Sequence, residues 1–201
     1  MIQLYLATSN VGKVKEISEL LTRFDVTVLP RGSDVAPPDE TGVTLIENAI
    51  LKATFDFRFV KDSAVLADDS GLFVDVLDGE PGVYSSSFGG IEGDSARNRA
   101  ELKSRLRMAN VESSTARFRC VMALIGKGGQ IHTFEGVVEG RVYTFERGDL
   151  GFGYDSMFIP DEGDGRTFGE MQSHEKSLIS HRSRALSKLM NAIETDPSIL
   201  E

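Results

Sequence analysis

Ala64-Val65-Leu66-Ala67-Asp68-Asp69-Ser70-Gly71-Leu72-Phe73-Val74-Asp75-Val76 sets two apolar, partly β-branched runs on either side of a carboxylate pair. Each run has the length and composition of a buried strand. Ser70-Gly71 between them predicts a turn. Two adjacent carboxylates at the end of a buried strand are costly unless a cation meets them. Hard oxygen ligands with no Cys or His close in sequence suit magnesium. For an isolated Asp-Asp, a turn with two solvated aspartates is the favoured reading, so the choice of a metal site rests on the rest of the chain.

Working outward, Ile2 to Ala7 reads as a strand and Val11 to Phe24 as a helix with Val14, Ile17, Leu21 and Phe24 on one face. Val26 to Leu29 predicts a second strand. Thr44-Leu45-Ile46-Glu47 has capping-box spacing and opens a helix towards Phe59. Downstream, Asp94 to Met108 predicts a polar surface helix. Arg117 to Ile125 and Ile131 to Val138, joined by Gly126-Lys127-Gly128-Gly129, read as a hairpin. Arg141 to Phe145 and Ser156 to Ile159 predict further strands. A last helix starts near His181, with Leu186, Leu189, Met190 and Ile193 as its buried stripe. Helices interleave with strands early and hairpins come late, which predicts an α/β protein with a mixed sheet in one domain, 1–201.

The chain has 201 residues, 40% of them hydrophobic and 26% charged, enough for a substantial core. No apolar run has the length of a membrane span, and no charged-then-apolar leader opens the sequence, so the expected location is cytoplasmic. The net charge of −9 argues against broad binding to nucleic acid or an anionic membrane. A polyanionic small molecule stays possible where basic residues are concentrated and a metal helps. The single cysteine, Cys120, excludes an internal disulfide framework and a Cys-based zinc site, and its apolar surroundings predict a buried thiol.

Thr8-Ser9-Asn10-Val11-Gly12-Lys13 joins the first strand to the first helix, and its hydroxyl and amide side chains are good N-caps. Lys13 opposes the helix dipole. Either an anion occupies this helix start, held by backbone N–H groups and the ammonium together, or the lysine extends into water. Ser180-His181-Arg182, with Lys176 just before it, repeats the anomaly at the last helix. Gly151-Phe152-Gly153-Tyr154-Asp155 offers close backbone approach, aromatic rings able to stack on a base, and a carboxylate acceptor. Glu47 has a capping role with Thr44. Glu40 has none visible and is the better candidate for a second metal ligand. No Walker A or Rossmann fingerprint occurs.

In order along the chain, Leu6-Ala7-Thr8-Ser9-Asn10-Val11-Gly12-Lys13, Glu40-Thr41-Gly42, Glu47-Asn48-Ala49, Ala67-Asp68-Asp69-Ser70-Gly71-Leu72, Pro81-Gly82-Val83-Tyr84-Ser85, Phe152-Gly153-Tyr154-Asp155 and Ser180-His181-Arg182 closely resemble the inosine triphosphate pyrophosphatases. The resemblance covers essentially the whole chain. Leu150 stands where bacterial members usually have glycine and Ser156 where they usually have proline, both beside the base-binding segment.

The resemblance implies hydrolysis of deaminated purine nucleoside triphosphates such as ITP, dITP and XTP to the monophosphate and pyrophosphate with Mg²⁺. It implies an elongated, curved mixed sheet with flanking helices, forming two lobes around a central cleft, and commonly a homodimer. By matched position, Thr8, Ser9, Asn10, Val11, Gly12, Lys13 and Lys52 hold the triphosphate, and Glu40 and Asp69 hold the metal. Asp69 orients or deprotonates the attacking water, with Asp68 supporting it, and Ser70 contacts substrate. Phe152, Gly153, Tyr154, Asp155, Lys176, His181 and Arg182 form the base pocket. A donor aimed at the 6-oxo group of hypoxanthine or xanthine meets another donor when adenine enters, and such sites discriminate by roughly ten-thousand-fold. Two alternatives stand beside this: a Maf-like pyrophosphatase of pyrimidine or modified nucleotides, and a non-catalytic nucleotide-binding regulator.

Overall fold

The computed structural model describes residues 2–22, 24–32, 36–60 and 62–201. In chain order the elements are β1 (Ile2–Leu6), α1 (Val11–Leu21), β2 (Val26–Pro30), α2 (Leu45–Phe57), β3 (Ala64–Val74), α3 (Ser95–Met108), β4 (Ser113–Ile125), β5 (Ile131–Tyr143), β6 (Phe158–Pro160), α4 (Ser173–Ile179) and α5 (His181–Thr195). The strand order is β2-β1-β3-β4-β5-β6. β1 pairs parallel with both β2 and β3, as helical crossovers require, and β5 pairs antiparallel with β6. The expected α/β architecture with a mixed sheet is the one observed.

Two compact units share these strands. The first comprises Met1–Asp69, Cys120–Gly136 and Arg182–Glu201. Its core joins Leu4 and Leu6 of β1, Ile17, Leu20 and Leu21 of α1, Met122 and Leu124 of β4, and the α5 stripe Leu186, Leu189, Met190 and Ile193. The second comprises Ser70–Arg119 and Val137–His181. There Leu102 and Leu106 of α3 pack with Phe118, Val138, Val142, Phe158 and Phe168.

Local signals account for the helix starts. The Asn10 side chain accepts from the Lys13 N–H at 3.1 Å and opens α1. Thr44 and Glu47 form the expected reciprocal capping box of α2. α1 ends at Leu21, short of Phe24, and Arg23 lies outside the described residues.

The structure corrects three expectations and adds one helix. Ser70-Gly71 is not a turn, because β3 runs unbroken from Ala64 to Val74. A Cβ on Gly71 would collide with the Gly82 carbonyl, and Ser85 Oγ accepts from the Leu72 N–H at 2.9 Å. The glycine therefore admits a neighbouring backbone to a strand that continues. Arg141 to Phe145 is not a separate strand, since β5 passes through Gly140, where a Cβ would strike the Ile159 carbonyl of β6. Asp155–Met157 forms a 3-10 turn, so the last strand starts only at Phe158. α4 went unanticipated: it is a seven-residue helix, too short to display a clear apolar period.

Candidate active site

β3 carries Asp68 and Asp69 into the first unit, and the two carboxylates meet different cations. Asp68 Oδ2 lies 3.2 Å from Lys13 Nζ and 3.2 Å from Arg182 Nη2. Arg182 Nε approaches the same oxygen at 3.3 Å, and its Nη1 binds Glu16 on α1. Burial alone would raise the Asp68 carboxyl, but Lys13 and Arg182 outweigh it and hold the group well below the usual carboxylate range. Lys13 does not extend into water: its side chain is only 14% exposed, and Nζ also donates to the Asp68 carbonyl at 3.4 Å.

Asp69 Oδ1 accepts from Lys52 Nζ at 2.7 Å, and the same ammonium reaches Glu40 Oε1 at 3.0 Å. Burial pushes the Asp69 carboxyl up despite Lys52. For Lys52, burial acts downward, yet Asp69, Asp68 and Glu40 raise it, so it stays an ammonium. The loop bearing Glu40 is tied to one face of α2. Asn48 Oδ1 accepts the Gly42 N–H at 2.7 Å, Lys52 takes Glu40, and Asp56 Oδ1 lies 2.8 Å from Arg31 Nη2. These three helix residues recur every fourth position, which places them on a common face.

Asp68 Oδ1 and Asp69 Oδ2 are buried and have no hydrogen-bond partner among the described residues. A buried anionic oxygen left so is costly, and a bound cation or water relieves it. No cluster of three or more His, Cys, Asp or Glu that could hold a metal ion occurs among the described residues. Magnesium does not need one, because it binds through one or two carboxylates and completes its shell with water and substrate phosphates. Glu40 and Asp69, gathered on one lysine, fit that ion. Cys120 is buried, and burial together with Asp68 pushes its thiol up to about 12, as a structural thiol requires.

Ahead of α1, Thr8 Oγ1 accepts the Asn10 N–H at 3.2 Å, while Ser9, Asn10 and Val11 are exposed at the helix start. Gly12 follows in the first turn, and Ser70 continues β3 directly after Asp69.

In the second unit, Gly151 (φ 74°) and Gly153 (φ 62°) adopt left-handed conformations around Phe152. Asp155 Oδ2 accepts from the Phe152 N–H at 2.9 Å and from Lys176 Nζ at 2.7 Å. A side chain on Gly151 would collide with that carboxylate. Lys176 Nζ also stands 5.1 Å from the centroid of the Phe152 ring and 5.5 Å from that of Phe168. Tyr154 belongs to the core, with its hydroxyl donating to the Ser85 carbonyl at 2.8 Å, so Phe152 is the less buried aromatic of this segment. The His181 ring stacks on Phe118 at 4.9 Å, with 12° between the planes.

Glu16 and Arg99 make site contacts that the sequence did not disclose. Glu16 lies three residues after Lys13 on α1, a spacing that could have drawn notice. Arg99 has no local signal at all.

A Ham1 family model matches residues 4–192. A dITP/XTP pyrophosphatase of Desulforamulus reducens is 44% identical over 194 residues, covering 96% of each chain. One from Bacillus subtilis is 43% identical over 196 residues, covering 96% of this chain and 98% of its own. A HAM1 protein from Coxiella burnetii has the same fold, with a TM-score of 0.83 at 34% identity over 97% of this chain and 100% of that one. A family match over nearly the whole sequence, relatives above 40% identity and a shared fold lead to one conclusion: this chain belongs to the Ham1 family.

Proposed function

We propose that this protein hydrolyses non-standard purine nucleoside triphosphates, namely ITP, dITP and XTP, to the nucleoside monophosphate and pyrophosphate with Mg²⁺. The observation that carries it is the first unit's charge cluster. Asp69 and Glu40 share Lys52, and Asp68 is held ionised between Lys13 and Arg182. Relatives of similar length bear the name dITP/XTP pyrophosphatase.

In this reading Lys13, Lys52 and the exposed N–H groups at the start of α1 take the triphosphate. Glu40 and Asp69 would hold Mg²⁺, which when bound supplies charge neutralisation at the phosphates. Asp69 accepts the proton of a water whose oxygen bonds to the α-phosphorus, while the bond from that phosphorus to the bridging oxygen breaks and pyrophosphate leaves. Burial raises the Asp69 carboxyl above its ordinary value, a direction that suits a proton acceptor. Asp68 orients Lys13 and Arg182. Ser70, Phe152, Gly153, Tyr154, Asp155, Lys176, His181 and Arg182 keep the substrate and base roles that the resemblance implies, Tyr154 through its backbone and core packing. The whole chain acts as one functional domain, as a homodimer in the cytoplasm. No helix among the described residues is long and apolar enough to cross a membrane.

The test is pyrophosphate release from ITP, dITP, XTP, GTP and ATP by purified protein with Mg²⁺. The expected result is a strong preference for the first three. Equal rates on all five, or release of orthophosphate alone, would overturn the proposal.

A further inference from the structure

The turn that carries Phe152 to Asp155 is gripped from outside by α3. Gly153 is left-handed, and a Cβ built there meets nothing within 4 Å among the described residues, so close packing does not hold this point. Charge-assisted hydrogen bonds do. Arg99 donates Nη1 to the Gly153 carbonyl at 2.9 Å and Nε to Glu146 Oε2 at 2.8 Å. Glu146 Oε2 also accepts from Ser156 Oγ at 3.2 Å, and its Oε1 takes Lys103.

Arg99 and Lys103 are one helical turn apart on α3, so a single carboxylate is clamped by two cations of one face. Through Arg99 it reaches Gly153, and directly it reaches Ser156. The two gripped points bracket Tyr154 and Asp155. Partial burial would raise the Glu146 carboxyl, but Lys103 and Arg99 prevail and keep it ionised. The Arg99 side chain is only 23% exposed, so its bonds are partly sheltered from competing water. Asp155 in turn sets the Phe152 N–H and the Lys176 ammonium. Any drift of the clamp displaces all three.

We propose that Arg99 and Glu146 are specificity-determining positioning residues: without touching substrate, they set where Phe152, Asp155 and Lys176 present themselves to the purine. This rests on the function proposed above and adds to it a control point formed by Arg99 of α3 and Glu146 after β5, outside the base-binding segment.

The test uses full-length Arg99→Met, Arg99→Lys and Glu146→Gln, each checked for an unchanged melting profile. Three quantities are compared with wild type: kcat/KM for ITP and ATP, inhibition by IMP, and inhibition by pyrophosphate. Arg99→Met is expected to lower the ITP-over-ATP preference and the affinity for IMP by about ten- to a hundredfold, the range over which misplaced supporting contacts act. The change should fall mainly on KM, with pyrophosphate inhibition unmoved. Arg99→Lys can satisfy one of the two acceptors and should recover part of the loss, and Glu146→Gln should shift in the same direction as Arg99→Met. Unchanged preference and IMP affinity in folded variants overturn the inference. So does an equal loss for IMP and pyrophosphate, which marks a merely structural role. A wild-type enzyme without ITP preference defeats the proposed function instead, and IMP affinity in the variants then still decides the positioning role.

Discussion

Arg182 and Asp68, 114 positions apart, meet at a single carboxylate oxygen, with Nη2 at 3.2 Å and Nε at 3.3 Å from Oδ2. Lys13 reaches the same oxygen. The two helix starts that carry cations against their dipoles therefore converge on one buried anion. Asp68 supplies the negative charge that each helix start lacked in sequence, and α1, β3 and α5 are locked together through it.

Removing one partner strands the others as buried charge. Asp68→Asn is expected to cost about 3–5 kcal/mol of unfolding free energy, read from urea denaturation. The acid limb should change too. Burial opposes ionisation of Asp68, but Lys13 and Arg182 depress its folded pKa overall. A depressed folded value gives stability that is complete above the unfolded value of about 3.9 and is lost as pH falls below it toward the folded one. Wild-type stability should thus drop below about pH 4 more steeply than that of Asp68→Asn. Parallel acid limbs would remove this role from Asp68.

Metal removal should abolish turnover. Activity on ITP is expected with Mg²⁺ and absent in EDTA. Asp69→Asn keeps Lys52 paired with Glu40, so its circular dichroism and melting profile should stay close to wild type, while kcat falls by about 10²–10⁴-fold. Near-normal turnover by the folded variant would exclude Asp69 as proton acceptor.

Lys13→Ala separates phosphate contacts from base contacts. A phosphate-binding ammonium does not sense the base, so kcat/KM for ITP, XTP and ATP should fall by one common factor. Because Lys13 also pairs with Asp68, stability should drop by about 1.5–3 kcal/mol, the scale of a charged hydrogen bond. Full stability would show that the ion pair contributes nothing, and a substrate-dependent loss would move Lys13 away from the phosphates.

Lys176→Met tests the base side. Asp155 loses its cation, and the Phe152 ring loses the ammonium above it. The ITP-to-ATP ratio of kcat/KM is expected to shrink by about tenfold, because the lost groups belong to base reading. Equal depression of both substrates would assign Lys176 to the phosphates.

Much of the fold was legible because its signals are local. The apolar period of α5, the Thr44 and Glu47 capping box and the β1-α1-β2 alternation depend on neighbours a few residues away. The turn expected at Ser70-Gly71 fails for a reason that is not local. A glycine that turns the chain and a glycine that admits a crossing carbonyl are the same letter, and only Gly82 near Gly71 tells them apart.

The candidate site divides the same way. Sequence alone determined which groups carry charge: the Asp68-Asp69 pair, Glu40, Lys52, and two helix starts that place cations against their dipoles. Only the tertiary structure decided who meets whom. Lys13 finds Asp68 at 55 positions, Lys52 reaches Asp69 at 17, and Arg99 reaches Gly153 at 54. A residue's charge and capping preference act over one helical turn and can be read from its neighbours. Its partner across the fold is chosen by how the sheet and helices pack, which no short stretch of chain encodes.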